Sequence, residues 1–396
     1  MSGIDRAKRK MKQQSRRQFI GSCLVAAGLG VPAIIGGCKR KETSPSQSCN
    51  PGQQNKTPPA PERITTIDPA SFEPAYLRLH RSGELRRRGE ELWKRMRPCR
   101  LCQRTCGVDR LDGKAGFCQA TSQLVISSWQ RHFGEEEPLV GKGCSGTIFF
   151  THCGLRCVFC INHEISLEGK GIPVRIEDLA QMMLILQAWG CHNINVVTPT
   201  HYSAHIVLAL DIAAAKGLKL PLVYNTCGWE RMDILKKLDS IVDIDLPDFK
   251  YSSGDMAVKY STCVPSDIKY AHSEVGKRYS STEIYPELTK MALLEMHRQV
   301  GVAKPASDGL IYRGLMIRHL VMPSGVSGTK EIIGWIARNL PKDTYLNIMS
   351  QYTPMYKAHE YPAIARRITR KEYSTAIRAA REAGLTNVEI HGYRSL

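Results

Sequence analysis

Two groups of cysteines carry spacings that could do chemistry. Cys153, Cys157 and Cys160 lie in Thr151-His-Cys-Gly-Leu-Arg-Cys-Val-Phe-Cys160, a C-x3-C-x2-C pattern. Three thiolates at that spacing on one loop can hold three irons of a [4Fe–4S] cluster. Three ligands instead of four leave one iron open to an outside ligand, the logic that separates catalytic from structural metal sites. The alternative is a structural zinc site, which needs a fourth donor close by; His152 or His163 could supply it. The second group, Cys99-x2-Cys102-x3-Cys106-x11-Cys118, is a full set of four. Gly107, Gly113 and Gly116 suit the tight turns that bring four thiolates together. So short a segment has no apolar core of its own and needs a metal to fold. Zinc, an auxiliary [4Fe–4S] cluster or a pair of disulfides would each satisfy four thiols. Cys144, Cys191, Cys227 and Cys263 are single and read as buried or pocket residues.

Elements must position these groups. Short apolar runs occur at Thr147–Phe150, Ile194–Val197, Leu222–Tyr224, Ile241–Leu246, Ile317–Val321 and Tyr345–Met349. Helical patterns lie between several of them, at Ile176–Trp189, Ala204–Lys216, Asp233–Leu238, Leu288–Val300 and Lys330–Leu340, and a last one follows at Lys371–Ala383. Gly190 and Gly217 stand where helix C-caps belong. Strand–helix alternation with six strands predicts an α/β fold with a parallel sheet, most simply a partial (β/α)6 TIM-type barrel. Chemistry in such folds sits at the carboxyl ends of the strands, and Cys153–Cys160 directly follows the first strand. Residues 72–97 look helical, with Leu77, Leu85, Leu92 and Met96 on a basic background.

The 396 residues are 42% hydrophobic, enough for a sizeable core, which excludes a disordered chain. Only one long uncharged run occurs, near the N-terminus, which excludes a polytopic membrane protein. Net charge is +18, of which seven Lys/Arg against one Asp place +6 in residues 1–38. The rest is spread through 78–104 and 366–381 without aromatic interleaving, so it reads as solvated helix faces and no nucleic-acid partner is expected.

Residues 1–38 read as an export signal. Ser15-Arg-Arg-Gln-Phe-Ile20 precedes an uncharged stretch from Gln18 to Cys38, which resembles a twin-arginine signal; Ile35-Gly-Gly-Cys38 resembles a lipoprotein cleavage box with Cys38 lipidated. The stretch contains five Gly and Pro32, a poor membrane helix. A protein that folds around a metal cofactor before export needs a route for folded proteins. Any membrane attachment would come through this leader alone, and the alternative is a cytoplasmic location. Residues 39–71 form a Pro- and Ser-rich linker, 72–143 the N-terminal helix with the four-Cys segment, and 144–396 the barrel.

The three-cysteine motif after the first strand resembles that of the radical S-adenosylmethionine (SAM) superfamily, and segment 95–390 resembles the uncharacterised branch similar to pyruvate formate-lyase activating enzymes. Matching stretches are Cys153–Ser166, Gly190-Cys-His-Asn-Ile-Asn-Val-Val-Thr-Pro-Thr-His201, Tyr224-Asn-Thr-Cys-Gly228, Asp245-Leu-Pro-Asp-Phe-Lys250, Arg318-His-Leu-Val-Met-Pro323 and Met349-Ser-Gln-Tyr352. The resemblance implies a radical SAM partial barrel in which SAM chelates the open iron and is cleaved reductively to a 5′-deoxyadenosyl radical. It implies a flavodoxin- or ferredoxin-type reductant and, in its strongest form, a partner protein on which a glycyl radical is generated. Phe159 takes the position that borders the adenine. Asp248 and Lys250 match an Asp-x-Lys that holds the SAM carboxylate. Asn225 and Thr226 match an Asp-Thr-Asn-Gly, with Asn replacing the Asp. The usual Gly-Gly-Glu that contacts the SAM amino group is missing; Thr200, in Thr198-Pro-Thr-His201, stands in that place. His201, His319, Gln351 and Tyr352 fall at strand ends as further pocket candidates. An exported iron–sulfur electron carrier that never cleaves SAM is the competing reading, motivated by the leader and the missing Gly-Gly-Glu. A zinc-stabilised binding module is a third, which the count of three thiolates opposes.

Overall fold

A computed structural model describes residues 67–261 and 281–391. The leader and most of the linker, with Cys23, Cys38 and Cys49, lie outside the described residues, as does Cys263.

The helical stretch expected at 72–97 is two helices, α1 (Ala75–Arg81) and α2 (Glu84–Lys94). Gly83 breaks them with φ +76°, a left-handed conformation that glycine adopts without strain. The basic background of α2 is laced by Arg87 to Glu84 and Glu91 and by Arg86 to Glu90, the solvated helix face expected from composition.

Next comes an antiparallel hairpin whose first strand has no counterpart among the expected strands, while its second is the one expected at Thr147–Phe150. It consists of β1 (Leu124–His132), a loop carrying the short helix α3 (Glu137–Val140), and β2 (Ser145–Phe150). Helix α4 (His163–Ser166) and strand β3 (Ile172–Val174), which pairs with the other edge of β1, follow. From β2 onward the sheet is parallel and in sequence order. It runs through β4 (Ile194–Val197), β5 (Leu222–Thr226), β6 (Ile244–Pro247), β7 (Gly314–Leu320), β8 (Tyr345–Met349) and β9 (Val388–His391). The whole sheet has nine strands, ordered β3-β1-β2-β4-β5-β6-β7-β8-β9. The six expected strands are all present, and β9 is an additional parallel one. Helices α5 (Ile176–Ala188), α6 (Ser203–Ala215), α7 (Met232–Leu238), α8 (Gly254–Tyr260), α9 (Tyr285–Val300), α10 (Thr329–Asn339) and α11 (Arg370–Glu382) fill the crossovers.

Alternation along the strands sorts the two faces. Ile194, Val196, Leu222 and Tyr224 pack with Leu179, Met183 and Leu210 of α5 and α6. Leu315, Ile317, Leu346 and Ile348 pack with residues of α9, α10 and α11. The opposite face is lined by Val223, Ile244, Leu246, Met316 and Tyr345, and its core is completed by Leu139 of α3 and by Ile311. The hairpin loop is therefore a plug on the inner face. It is pinned by Asn193 Nδ2 donating to Leu139 O (2.8 Å) and Ile311 N donating to Pro138 O (3.0 Å). The parallel strands follow one another in sequence order, and the long crossover helices α5, α6 and α9 to α11 pack on the face opposite α3. Residues 76–126 share one core with 144–242, so the four-Cys segment packs directly on the first half of the sheet.

Candidate metal and cofactor site

The three-cysteine loop leaves the carboxyl end of β2. Thr151 ties it down, its N–H and hydroxyl both donating to Val125 O at 3.2 Å. His152 (φ +67°) and Arg156 (φ +56°) adopt the left-handed region, which turns the chain sharply on either side of Cys153. The backbone N–H of Leu155 donates to Cys153 Sγ at 3.4 Å. Cys157 Sγ lies 3.2 Å from Ser261 Oγ, and Cys160 Sγ lies 3.0 Å from Ser166 Oγ. Burial pushes the Cys157 thiol up to about 12 and raises that of Cys160 as well. Cys153 is held down to about 6, first by its contact with the Cys227 thiol, which is itself raised. The ammonium of Lys250 favours the thiolate of all three. Buried sulfurs of this kind need a cation to ionise together. The donor set fits a thiolate-ligated iron centre.

The ends of the next strands form a charged network. Asp248, just past β6, accepts from Lys250 Nζ at 2.6 Å and from Arg318 Nε of β7 at 2.9 Å. Burial would raise the Asp248 carboxyl, but Arg318 and Lys250 outweigh it and hold it low. Arg318 Nη2 donates to Asn225 Oδ1 of β5 at 2.6 Å, and Arg318 Nη1 lies 3.4 Å from Glu135 of the plug. Glu136 accepts from Asn347 Nδ2 of β8 at 2.9 Å, and its other carboxylate oxygen has no partner among the described residues. Asn195, fully buried on the inner face of β4, has neither side-chain atom paired among the described residues. The sequence thus places Asn225, Asp248 and Lys250 together, and the fold adds Arg318, Glu135 and Glu136.

A second polar knot forms around Glu230, which follows β5 and which motif reading did not single out. Its carboxylate accepts from Thr200 Oγ1 (2.6 Å), Thr226 Oγ1 and Tyr224 OH (3.5 Å). Burial pushes Glu230 up to about 7, against the pull of those three hydroxyls. Thr200 and His201 line a narrow cavity of about 10 Å³ with Cys102, Cys153, Cys227 and Trp229. His201 Nε2 bonds Thr151 O at 2.8 Å, and burial pushes its imidazole well down.

Other candidates are placed differently. His319 does not face the cavity. Its Nδ1 meets Phe249 O at 2.8 Å and its Nε2 meets Thr329 Oγ1 at 2.9 Å, so the two ring nitrogens tie β7 to the backbone just past β6 and to the start of α10. The expectation of a cofactor contact there gives way to a scaffold role, and burial keeps the ring down at about 4. Phe159 is buried between Tyr251 and Tyr352, with ring centroids 6.3 and 5.8 Å away. Tyr352 spends its hydroxyl on Ile364 O (2.7 Å), and Gln351 is exposed. Cys227 is brought to hydrogen-bonding distance of Cys153, a proximity that no sequence spacing discloses. Cys99 and Cys118 are buried and Cys102 and Cys106 half-buried. Among the described residues no three Cys, His, Asp or Glu side chains close on one point as around a single ion.

No protein-family model matches the chain. It is 29% identical over 297 residues to the uncharacterized protein MJ0674 of Methanocaldococcus jannaschii, an alignment taking in 72% of this chain and 75% of that protein. Among solved structures it is similar to Streptococcus suis SuiB bound to the precursor peptide SuiA, at a TM-score of 0.37 and 14% identity over 61% of this chain and 46% of that one. It is also similar to native anSMEcpe with bound AdoMet and the Cp18Cys peptide, at a TM-score of 0.35 and 12% identity over 60% of each chain. The chain therefore spans between about half and three-fifths of those two structures.

Proposed function

We propose that this chain is a radical SAM enzyme built on a partial barrel, with Cys153, Cys157 and Cys160 holding a [4Fe–4S] cluster that keeps one iron for SAM. The observation that carries the reading is the convergence of three thiols after the first parallel strand with the Asp248–Lys250 pair after the fourth. The bound cluster and SAM would supply one-electron cleavage of the sulfonium and a 5′-deoxyadenosyl radical. The chain's own residues do the rest. Lys250, fixed by Asp248, presents a point charge suited to a carboxylate. Glu230, held by Thr200, Thr226 and Tyr224, puts an acid beside the position where this chain lacks the Glu of the family's Gly-Gly-Glu. The hairpin loop sets Glu135 and Glu136 against Arg318 and Asn347 on the inner face. Asn195 and Glu136 leave unmatched polar atoms there that a bound molecule would satisfy. Activation of a glycyl radical enzyme, fed by a flavodoxin- or ferredoxin-type donor, is the specific activity that the resemblance supports.

The test is anaerobic. The chain is reconstituted with iron and sulfide, given SAM and dithionite, and assayed for 5′-deoxyadenosine. Product from the wild type and none from Cys153→Ala/Cys157→Ala/Cys160→Ala is expected. A fully loaded wild type that yields no product refutes the proposal.

One observation favours a second reading, an iron–sulfur electron carrier. Cys227 beside Cys153 offers a fourth thiol that could saturate the cluster. In that case Cys227→Ala would lower iron content, whereas a radical SAM centre would keep its iron.

We also propose export by the twin-arginine leader, with lipidation at Cys38. Retention of an Arg16→Lys/Arg17→Lys reporter fusion in the cytoplasm, with the unaltered fusion outside, is the expected result. Among the described residues no helix is long and apolar enough to cross a membrane.

A further inference from the structure

The four-Cys segment is built to hold anionic sulfur. The backbone turns N–H groups toward its thiols: that of Leu101 toward Cys99, Arg104 toward Cys102, Phe117 toward Cys106 and Ala120 toward Cys118. Three of the four donors stand two residues downstream of the cysteine, the relation that Leu155 and Asn162 have to Cys153 and Cys160 in the first group. A neutral thiol is a weak acceptor, so a backbone that aims N–H groups at every sulfur is prepared for thiolates. The sulfurs also converge. Cys99 and Cys106 are within hydrogen-bonding reach, and a methyl group on Gly116 would sit 3.3 Å from Cys106 Sγ and 3.5 Å from Cys118 Sγ.

The surrounding charge has the same sign. Arg110 is fully buried, and its guanidinium bonds to Thr121 O (2.7 and 3.1 Å), His201 O (2.8 Å) and Cys99 Sγ (3.9 Å). No carboxylate pairs with it among the described residues. A buried cation needs a countercharge, and the ionisable groups whose field it chiefly meets are Cys118 and Cys99.

The position of this segment gives the centre a use. Cys102 and Cys153 line the same cavity, and Cys102 Sγ lies 3.5 Å from where a side chain on Gly154 would begin. Arg104 closes the seam. Its Nε donates to Gly154 O at 2.9 Å, and its guanidinium lies between the rings of Phe117 (4.0 Å) and Trp229 (4.5 Å).

We propose that Cys99, Cys102, Cys106 and Cys118 ligate a second iron–sulfur cluster, which passes single electrons through the Cys102–Gly154–Cys153 contact to the first. A low-potential one-electron carrier reduces the second cluster, and that cluster is reoxidised as the electron moves on; no proton or bond changes partner. The ligation stands on this segment alone, whereas the electron's destination rests on the reading of Cys153, Cys157 and Cys160 as a cluster site.

The experiment reads metal and spin, not turnover. The full chain and its Cys153→Ala/Cys157→Ala/Cys160→Ala variant are prepared anaerobically and analysed for iron, zinc and labile sulfide. The variant is expected to keep about four iron and four sulfide per chain and to give an EPR signal with dithionite. Adding Cys102→Ser to it should abolish or alter that signal. In the reduced wild type the two signals should broaden each other, since the centres are in contact. Arg110→Met should move the second cluster to a lower potential, and Arg110→Lys should restore most of it, because the buried cation stabilises the more negative reduced state. One equivalent of zinc without sulfide in the triple variant, or mass-spectrometric disulfides among the four cysteines, overturns the ligation. Two clusters with unperturbed spectra overturn the electron path. Failure of SAM cleavage with both clusters present would sink the enzyme reading and leave this one standing.

Discussion

Replacing Glu230 by Gln should make the protein more stable above neutral pH while damaging the site it belongs to. In the folded chain burial lifts the Glu230 carboxyl from its ordinary 4.5 to about 7. The folded state therefore keeps a proton that the unfolded chain releases between those two values. The sign follows: a group that binds more protons folded than unfolded makes stability fall as pH rises through the interval. Two and a half pH units at 1.36 kcal/mol each correspond to about 3 kcal/mol of cost above pH 7, and to about 1 kcal/mol at pH 5. Gln has the shape of the protonated acid and keeps an oxygen for Thr200 and Thr226. The variant should thus gain about 3 kcal/mol at pH 8 and about 1 kcal/mol at pH 5. Urea unfolding of the metal-free wild type and variant at both pH values measures this. The difference between the two curves isolates Glu230 from other raised acids such as Asp243 and Asp245. Equal pH slopes in the two proteins, or a variant less stable at pH 8, would refute the reasoning. If the gain appears together with loss of 5′-deoxyadenosine formation, Glu230 is a charge maintained for function at the expense of the fold.

Asp248→Asn leaves Lys250 and Arg318 facing each other without their shared acid, and should cost about 3–5 kcal/mol in urea unfolding; adding Arg318→Met should recover part of the loss. Gly228→Ala should destabilise by more than about 1 kcal/mol, because φ is +74° and the new methyl would lie 2.6 Å from Asp248 O. A site distortion there would also show as weakened SAM binding by calorimetry. Thr369→Ala removes one half of the capping box with Glu372 at the start of α11 and should lower stability by about 1 kcal/mol, with cluster content unchanged.

The parallel strands were legible because each is a short apolar run between helical patterns, a local signal that burial on two faces produces. The first strand of the antiparallel hairpin was not. Leu124–His132 mixes Ser, Gln, Arg and His with apolar residues, and its burial is decided by β2 and β3 on either side. Strand β9 is only Val388–His391, and its partner β8 lies some forty residues away. The Glu135-Glu-Glu137 run reads locally as solvated charge. Only the packing of Leu139 into the inner face brings Glu135 and Glu136 to Arg318 and Asn347 of the sheet.

Ligand identity and ligand geometry separate in the same way. Seven cysteines at fixed spacings, and the Asp248-x-Lys250 pair, are local facts of the chain, because segments of twenty residues (99–118) and eight (153–160) carry their own thiols wherever they are placed. The sequence by itself determined that much: the donor types, their counts and the strand that precedes the first group. It could not determine which distant atoms meet them. Arg318 reaches Asp248 from 70 positions away, Cys227 reaches Cys153, Glu230 gathers hydroxyls from two segments, and His319 turns to α10 and leaves the cavity. These contacts exist because neighbouring strand ends share one rim in space. Neighbourhood on that rim depends on sheet order and register, properties of the folded chain alone.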